Sequence, residues 1–274
     1  VEIKIIDYKS PNHQIIKFPT RIIKDKQLSE ARNSYSKMQK KFMNKDIEVW
    51  NPDLPKHSIF KGIGNFDDHN GFELYDKYFF IDVYLEDKTM LDFACGAGRN
   101  IVHYWHRFNH IDGVDLCEKV LNNATQWISY NNMYNRGKEI KLYLNNGQDL
   151  SIIPGSEKYD IIHSTIAMQH IAIHEIRYQI LKDFFRLLKK GGGICIQMAY
   201  GEDHPNSVDY YNNNSDNINS TNRGCDVRVT DPLQLEKDLS SIGFCNFTYN
   251  IDLAPPGSDL KRGGKAIYFK ASKS

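Results

Sequence analysis

The segment Met90–Asn100, MLDFACGAGRN, constrains the fold more than any other stretch of the chain. Thr89–Ala94 is a short apolar run that stops at glycines, as a buried strand does. Gly96 and Gly98 permit a tight turn and a close approach of backbone to a ligand. The helical sequence that starts at Arg99 would present free N–H groups to that ligand. A strand, a glycine turn and a helix in this order open a doubly wound sheet, and the turn lies at the crevice where such sheets bind ligands.

The pattern then repeats. Strand-like runs recur at His110–Val114, Ile140–Leu144, Tyr159–His163 and Gly193–Met198. Helical sequence fills Arg99–Asn109, Glu118–Tyr130 and Ile173–Leu188. This alternation predicts a parallel arrangement. Asp231–Ile242 reads as a further helix, and Phe244–Ile251 with Lys265–Ala271 as an antiparallel hairpin. The expected fold is α/β and doubly wound: a mostly parallel seven-stranded sheet with an antiparallel closing hairpin, plus an N-terminal extension.

Residues 1–70 are expected to form that extension or cap, and residues 71–274 the Rossmann-like domain. In the extension, Val1–Ile6 alternates like a strand, Phe18–Ile23 is ambiguous, and 26–44 favours helix. Pro52, Pro55, Gly62 and Gly64 mark 51–71 as a loop, followed by a short helix from Gly71 to Phe80. The stretch 200–228 is dense in Asn, Asp, Ser and Tyr. It is expected as a mobile, lid-like insertion whose composition cannot sustain a packed core.

Composition narrows the function classes. Hydrophobic residues make up 41% and charged residues 25% of 274 residues, ordinary values for a globular protein. The formal net charge of +1 disfavours nucleic acid as a partner. The first 45 residues are nevertheless basic, with eleven Lys/Arg from Lys4 to Lys45 against Glu2, Asp7, Asp25 and Glu30. They form either a solvated helix face or an attractive surface for a phosphate-bearing substrate or acidic partner. Five scattered cysteines without a CxxC pair fit neither a disulfide framework nor a zinc site, and fit a cytoplasmic protein. No apolar run approaches the ~18 residues of a membrane span, so no membrane partner is expected. No acid and histidine cluster has metal-ligand spacing, and no metal is expected.

The second strand ends in Gly113-Val114-Asp115. An acid about 20 residues beyond the glycine turn is placed to accept ribose hydroxyls, and the same residue can cap the next helix. A dinucleotide would call for a third glycine where Ile101 stands.

LDFACGAGRN followed by GVDL resembles the first two motifs of the class I S-adenosylmethionine-dependent methyltransferases. YDIIHSTIAMQHI and LLKKGGGICIQ resemble the family's later motifs, and the resemblance spans Lys88–Gln197. It implies S-adenosyl-L-methionine as cofactor, with S-adenosyl-L-homocysteine as product. The cofactor-binding residues it implies are Asp92, Ala94, Gly96, Gly98, Asp115, Leu116, Asn146, Gly147, Gln148 and His163. Ala94 stands where the fuller pattern has glycine. Asn146 stands where the family has the acid that meets the adenine, with Asp149 as the alternative. His163 is expected to contribute its backbone beside the methionine part.

A hydroxyl acceptor must lose a proton, which invites a base. His163, His170, His174 and His204 are the candidates, with His170 foremost and helix packing as its structural alternative. Tyr200, His204, Tyr210 and Tyr211 are expected on the substrate side. The reading is methyl transfer to a small polar metabolite, by O-methylation of a sugar or a phosphate-bearing or nucleotide-linked compound. An RNA or protein methyltransferase, or an inactive cofactor-binding module, is the alternative. The Pro-Pro-aromatic element of the DNA amino-methyltransferases is missing at His163–Ile166.

Overall fold

A computed structural model describes residues 6–7, 13–17, 70–130, 139–201, 207–213, 226–254 and 264–274. The expectations for 18–69, for Val1–Ile5 and for His204 lie outside the described residues.

The strands are β1 (Ile6–Asp7), β2 (His13–Lys17), β3 (Thr89–Phe93), β4 (His110–Asp115), β5 (Ile140–Leu144), β6 (Tyr159–Ser164), β7 (Leu188–Tyr200), β8 (Ser207–Val208), β9 (Asp226–Val227), β10 (Phe244–Leu253) and β11 (Lys265–Lys273). The main sheet runs β1-β2-β5-β4-β3-β6-β7-β11-β10. From β2 to β7 the neighbours pair parallel, and β11 pairs antiparallel with both β7 and β10. The seven strands from β5 to β10 in this order are the expected sheet with its closing hairpin. The N-terminal extension adds two strands to its edge: β2 pairs parallel with β5, and β1 antiparallel with β2.

The helices are α1 (Asn70–Tyr75), continued as a π-helical turn over Asp76–Phe80, then α2 (Arg99–Tyr104), α3 (Glu118–Tyr130), α4 (His174–Leu187) and α5 (Pro232–Ile242). α5 shows why its bounds were readable. Asp231 caps it by accepting from Leu233 N at 3.0 Å, Pro232 opens it, and Gly243 closes it at φ 112°. α2 is shorter than expected, and the chain runs through turns from Trp105 to Asn109. Among the described residues no helix is long and apolar enough to cross a membrane.

Two cores flank the sheet. Leu91, Phe93, Val114, Ile162, Ile194 and Ile196 face α4 and α5. Met90, Ile111 and Leu142 face α1, α2 and α3, with Phe79, Tyr104 and Ala124 packed over them. β3 is apolar almost throughout because both its faces are covered. Part of the Asn-rich insertion departs from expectation. Tyr210 and Val227 are buried in the first core, so a few apolar side chains anchor a segment whose average composition reads as solvated.

Candidate cofactor and active site

The chain leaves β3 through three left-handed residues: Ala94 (φ 54°), Gly96 (φ 56°) and Gly98 (φ 85°). Glycine adopts this conformation freely, while Ala94 does so at a cost of about 1 kcal/mol. Gly98 then precedes the first residue of α2. The turn is fastened to β4: Cys95 N donates to Val114 O at 3.1 Å, and Gly96 N donates to Asp115 Oδ2 at 3.0 Å. The other oxygen, Oδ1, accepts from Cys117 N at 3.0 Å ahead of α3. Asp115 therefore fastens both the glycine loop and the turn that leads into α3. Burial raises its carboxyl pKa, and the backbone N–H donors oppose that shift. Each carboxylate oxygen carries two lone pairs, so one on each stays available to ribose hydroxyls.

The loop after β5 is a closed turn. Asn146 Oδ1 accepts from Gln148 N (2.7 Å) and Asp149 N (3.0 Å). Asp149 Oδ1 accepts from Asn146 Nδ2, Ser151 N and Ser151 Oγ. Gly147 N donates to Asn145 Oδ1 at 3.1 Å. Gln148 is buried, and Leu116 is half-buried just past Asp115.

Beneath the glycine turn lies a buried polar chain. Asp92, completely buried on β3, accepts at Oδ1 from Asn100 Nδ2 at 3.0 Å and faces His163 Nδ1 at 3.3 Å. Asn100 Nδ2 also lies 3.3 Å from Thr165 Oγ1. Among the described residues three atoms here have no partner: Asp92 Oδ2, Asn100 Oδ1 and His163 Nε2. Burial raises the Tyr75 hydroxyl's pKa, opposed by the nearby Arg99 cation. The Arg99 guanidinium lies over Phe72, 5.3 Å from the ring centre. His163 does more than supply backbone, because its ring fills the space beneath α1. Tyr75, Asn100, Arg99 and Thr165 went unremarked in the sequence as site residues. Asn100 and Arg99 directly follow the glycines, and that adjacency was the available signal.

Residues 90–192 match the family model described as a methyltransferase domain. Those residues form a methyltransferase domain. The solved structures it resembles include phosphoethanolamine N-methyltransferase 1 of Haemonchus contortus, at TM-score 0.59 and 12% identity, covering 90% of this chain and 50% of that one. Another is magnesium protoporphyrin IX methyltransferase of Synechocystis, at TM-score 0.55 and 12% identity, covering 90% and 99%. A third is the [4+2]-cyclase SpnF, at TM-score 0.55 and 11% identity, covering 90% and 96%. At such identities the likeness is one of fold. No curated protein matches the sequence.

A methyltransferase domain calls for a methyl donor, and the buried groups fit S-adenosylmethionine. A ligand with an ammonium, a carboxylate and ribose hydroxyls finds the unpartnered Asp92 Oδ2, the Arg99 cation beside Tyr75, and the spare lone pairs of Asp115 along one glycine turn.

On the acceptor side, Thr165–His170 leaves β6. Ile166 has φ 56°, and its N–H donates to Gln197 Oε1 on β7 at 2.8 Å. His170 ends a 3-10 turn and is half-buried, with its N–H donating to Ala167 O at 2.9 Å. The neighbouring Gln169 accepts from Ala199 N at 3.1 Å.

The remaining expected residues lie elsewhere. Tyr200 is half-buried at the end of β7 and bridges to Val229. Tyr210 is buried, and its hydroxyl donates to Asp238 Oδ2 of α5 at 2.9 Å. The same oxygen faces His174 Nε2 at 2.8 Å. Arg177 donates to the Tyr210 carbonyl. Tyr211 is exposed beside Lys237. Tyr210 and His174 thus tie the insertion to α4 and α5, and the described contacts do not bring Tyr210, Tyr211 or His174 to the glycine turn.

Proposed function

We propose that the enzyme methylates a small polar metabolite, by O-methylation of a sugar or of a phosphate-bearing or nucleotide-linked compound, with His170 as general base. The turn Thr165–His170 carries this reading. It follows the parallel strand β6 at the crevice end of the sheet and holds a β-branched residue in the left-handed region. Two groups of β7 fasten it: Gln197 Oε1 accepts from Ile166 N, and Ala199 N donates to Gln169 Oε1. A strained segment held in place by its surroundings is a common feature of functional sites.

S-adenosylmethionine supplies an electrophilic methyl group when bound. The chain's residues do the rest. Asp115 and Leu116 meet the ribose, Asp92 takes the ammonium, and the Ala94–Gly98 backbone lies alongside. Asn146 meets the adenine edge, with Asp149 as the alternative and Gly147 and Gln148 beside it. His170 accepts the proton of the acceptor hydroxyl. Tyr200 lines the acceptor side where β7 ends.

The experiment is a screen of sugar, sugar-phosphate and nucleotide-linked pools with methyl-labelled cofactor. Label on a hydroxyl of a small molecule supports the reading. Label confined to RNA or protein overturns it, and so does S-adenosylhomocysteine binding without transfer to any pool.

A further inference from the structure

His163 is an imidazole placed where packing alone would favour a hydrocarbon. Its ring is completely buried, and four aromatic rings surround it: Tyr75 at 5.9 Å between centroids, Phe79 at 5.8 Å, Phe80 at 5.7 Å and Tyr104 at 5.8 Å. Three of them meet it edge to face, at interplanar angles of 77°, 83° and 76°. Such contacts fix the plane of a ring as well as filling space. Among the described residues Nε2 has no partner, which costs free energy in an apolar cage. The ring has one polar contact among the described residues, Nδ1 to Asp92 Oδ1.

An ionised carboxylate only accepts, so Nδ1 carries the hydrogen and Nε2 the lone pair. Asp92 Oδ1 then takes two donors, the Asn100 amide and the His163 N–H, from two different elements. Two donors on one oxygen fix the carboxylate's rotamer. The other oxygen, completely buried and unpartnered, is left as the presented acceptor.

We propose that His163 is a positioning residue for cofactor binding. Its locked ring and the Asn100 amide hold Asp92 Oδ1, so that Oδ2 meets the ammonium of the cofactor's methionine end. This rests on the reading that Asp92 takes that ammonium. The β6 position thereby tunes affinity for the methionine end and leaves the adenosine end untouched.

The test uses His163→Leu, which fills the cage without a donor, and His163→Asn, whose Nδ2 can replace Nδ1 but leaves a cavity. His163→Phe serves as a second donorless variant should leucine not fold. Calorimetry measures S-adenosylhomocysteine, which carries the ammonium, and 5′-methylthioadenosine, which lacks it; melting temperature is read alongside. The donorless variants are expected to bind S-adenosylhomocysteine about tenfold more weakly or worse, the scale of losing a hydrogen bond to a charged group. Their methylthioadenosine affinity should be unchanged. His163→Asn should melt lower than His163→Leu yet bind S-adenosylhomocysteine more tightly.

Affinity that follows melting temperature instead of the donor overturns the proposal, and so does equal weakening of both ligands. Asp92→Asn separates the layers. If it weakens S-adenosylhomocysteine while the donorless His163 variants do not, the Asp92 reading stands and His163's role falls. If Asp92→Asn binds as the parent does, both fall.

Discussion

Gly113→Ala tests how the glycine turn is seated. Gly113 lies inside β4 and needs no unusual backbone angle, so alanine fails there only for want of space. A Cβ built at this position would lie 2.8 Å from Cys95 Sγ, 2.9 Å from Ile101 Cδ1 and 2.9 Å from Leu142 Cδ2. Comfortable carbon contacts are about 3.5–4.0 Å, so all three side chains must retreat by about 0.6 Å or more. Overpacking a tight core costs about 1–3 kcal/mol, and three simultaneous clashes put this variant near the upper end. At about 2–4 °C per kcal/mol for a domain of this size, the melting temperature should fall by about 6–12 °C. Cys95 belongs to the turn, and its neighbour Gly96 is fastened to Asp115, so S-adenosylhomocysteine affinity should weaken as well. Adding Cys95→Ala removes the closest obstacle. The double variant should be more stable than the sum of the single changes by about 1 kcal/mol. Thermal denaturation of the four proteins and calorimetry with S-adenosylhomocysteine supply the measurements. An unchanged melting temperature for Gly113→Ala, or zero coupling with Cys95→Ala, would refute the packing argument.

Asp115→Ala should weaken S-adenosylhomocysteine binding by about 1–3 kcal/mol and also lower stability, because Gly96 N and Cys117 N lose a buried acceptor; a parental dissociation constant in the folded variant removes Asp115 from the site. His170→Ala should lower kcat by about 10²–10⁴-fold with cofactor affinity retained, and a full-rate variant ends its assignment as base. His103 governs an acid sensitivity. Burial against the Phe72 ring, 3.6 Å away between centroids, lowers its pKa from 6.5 to about 4. The unfolded chain takes up a proton near 6.5 that the folded protein refuses until about 4, so stability is lost as pH falls through that window. The full shift is worth about 3 kcal/mol, and the ring's partial exposure to solvent reduces it to about 1 kcal/mol. Comparing melting temperatures at neutral pH and near pH 4.5 should show a flatter profile for His103→Gln, and identical slopes would contradict the assignment.

Much of the fold was legible because its signals are local. The apolar runs of β3 to β6, the glycines after β3 and the Asp231-Pro232…Gly243 punctuation of α5 each act within a few residues, so their meaning survives without knowledge of the fold. The same holds for Asp115, whose distance from the glycine turn follows from the length of one strand-turn-helix-strand unit. The sequence therefore determined the sheet, the glycine turn and the acid beside it.

Only the tertiary structure decided what depends on partners distant in the chain. Tyr210 looked like a residue of a mobile segment, yet Asp238 and Arg177, both far along the chain, draw it into the core. Asn146 was read only for the adenine, yet its side chain also closes its own turn through Gln148 N and Asp149 N. β2 joined the sheet by pairing with β5, more than a hundred residues away, and a five-residue strand carries too little pattern to announce such a partner. Asp92, Asn100, His163 and Tyr75 come from three regions of the sequence, and only the packing of α1 over β3 and β6 gathers them around unpartnered atoms. A single chain pattern records which faces are apolar; which buried polar atoms remain without partners is fixed only when separate elements meet.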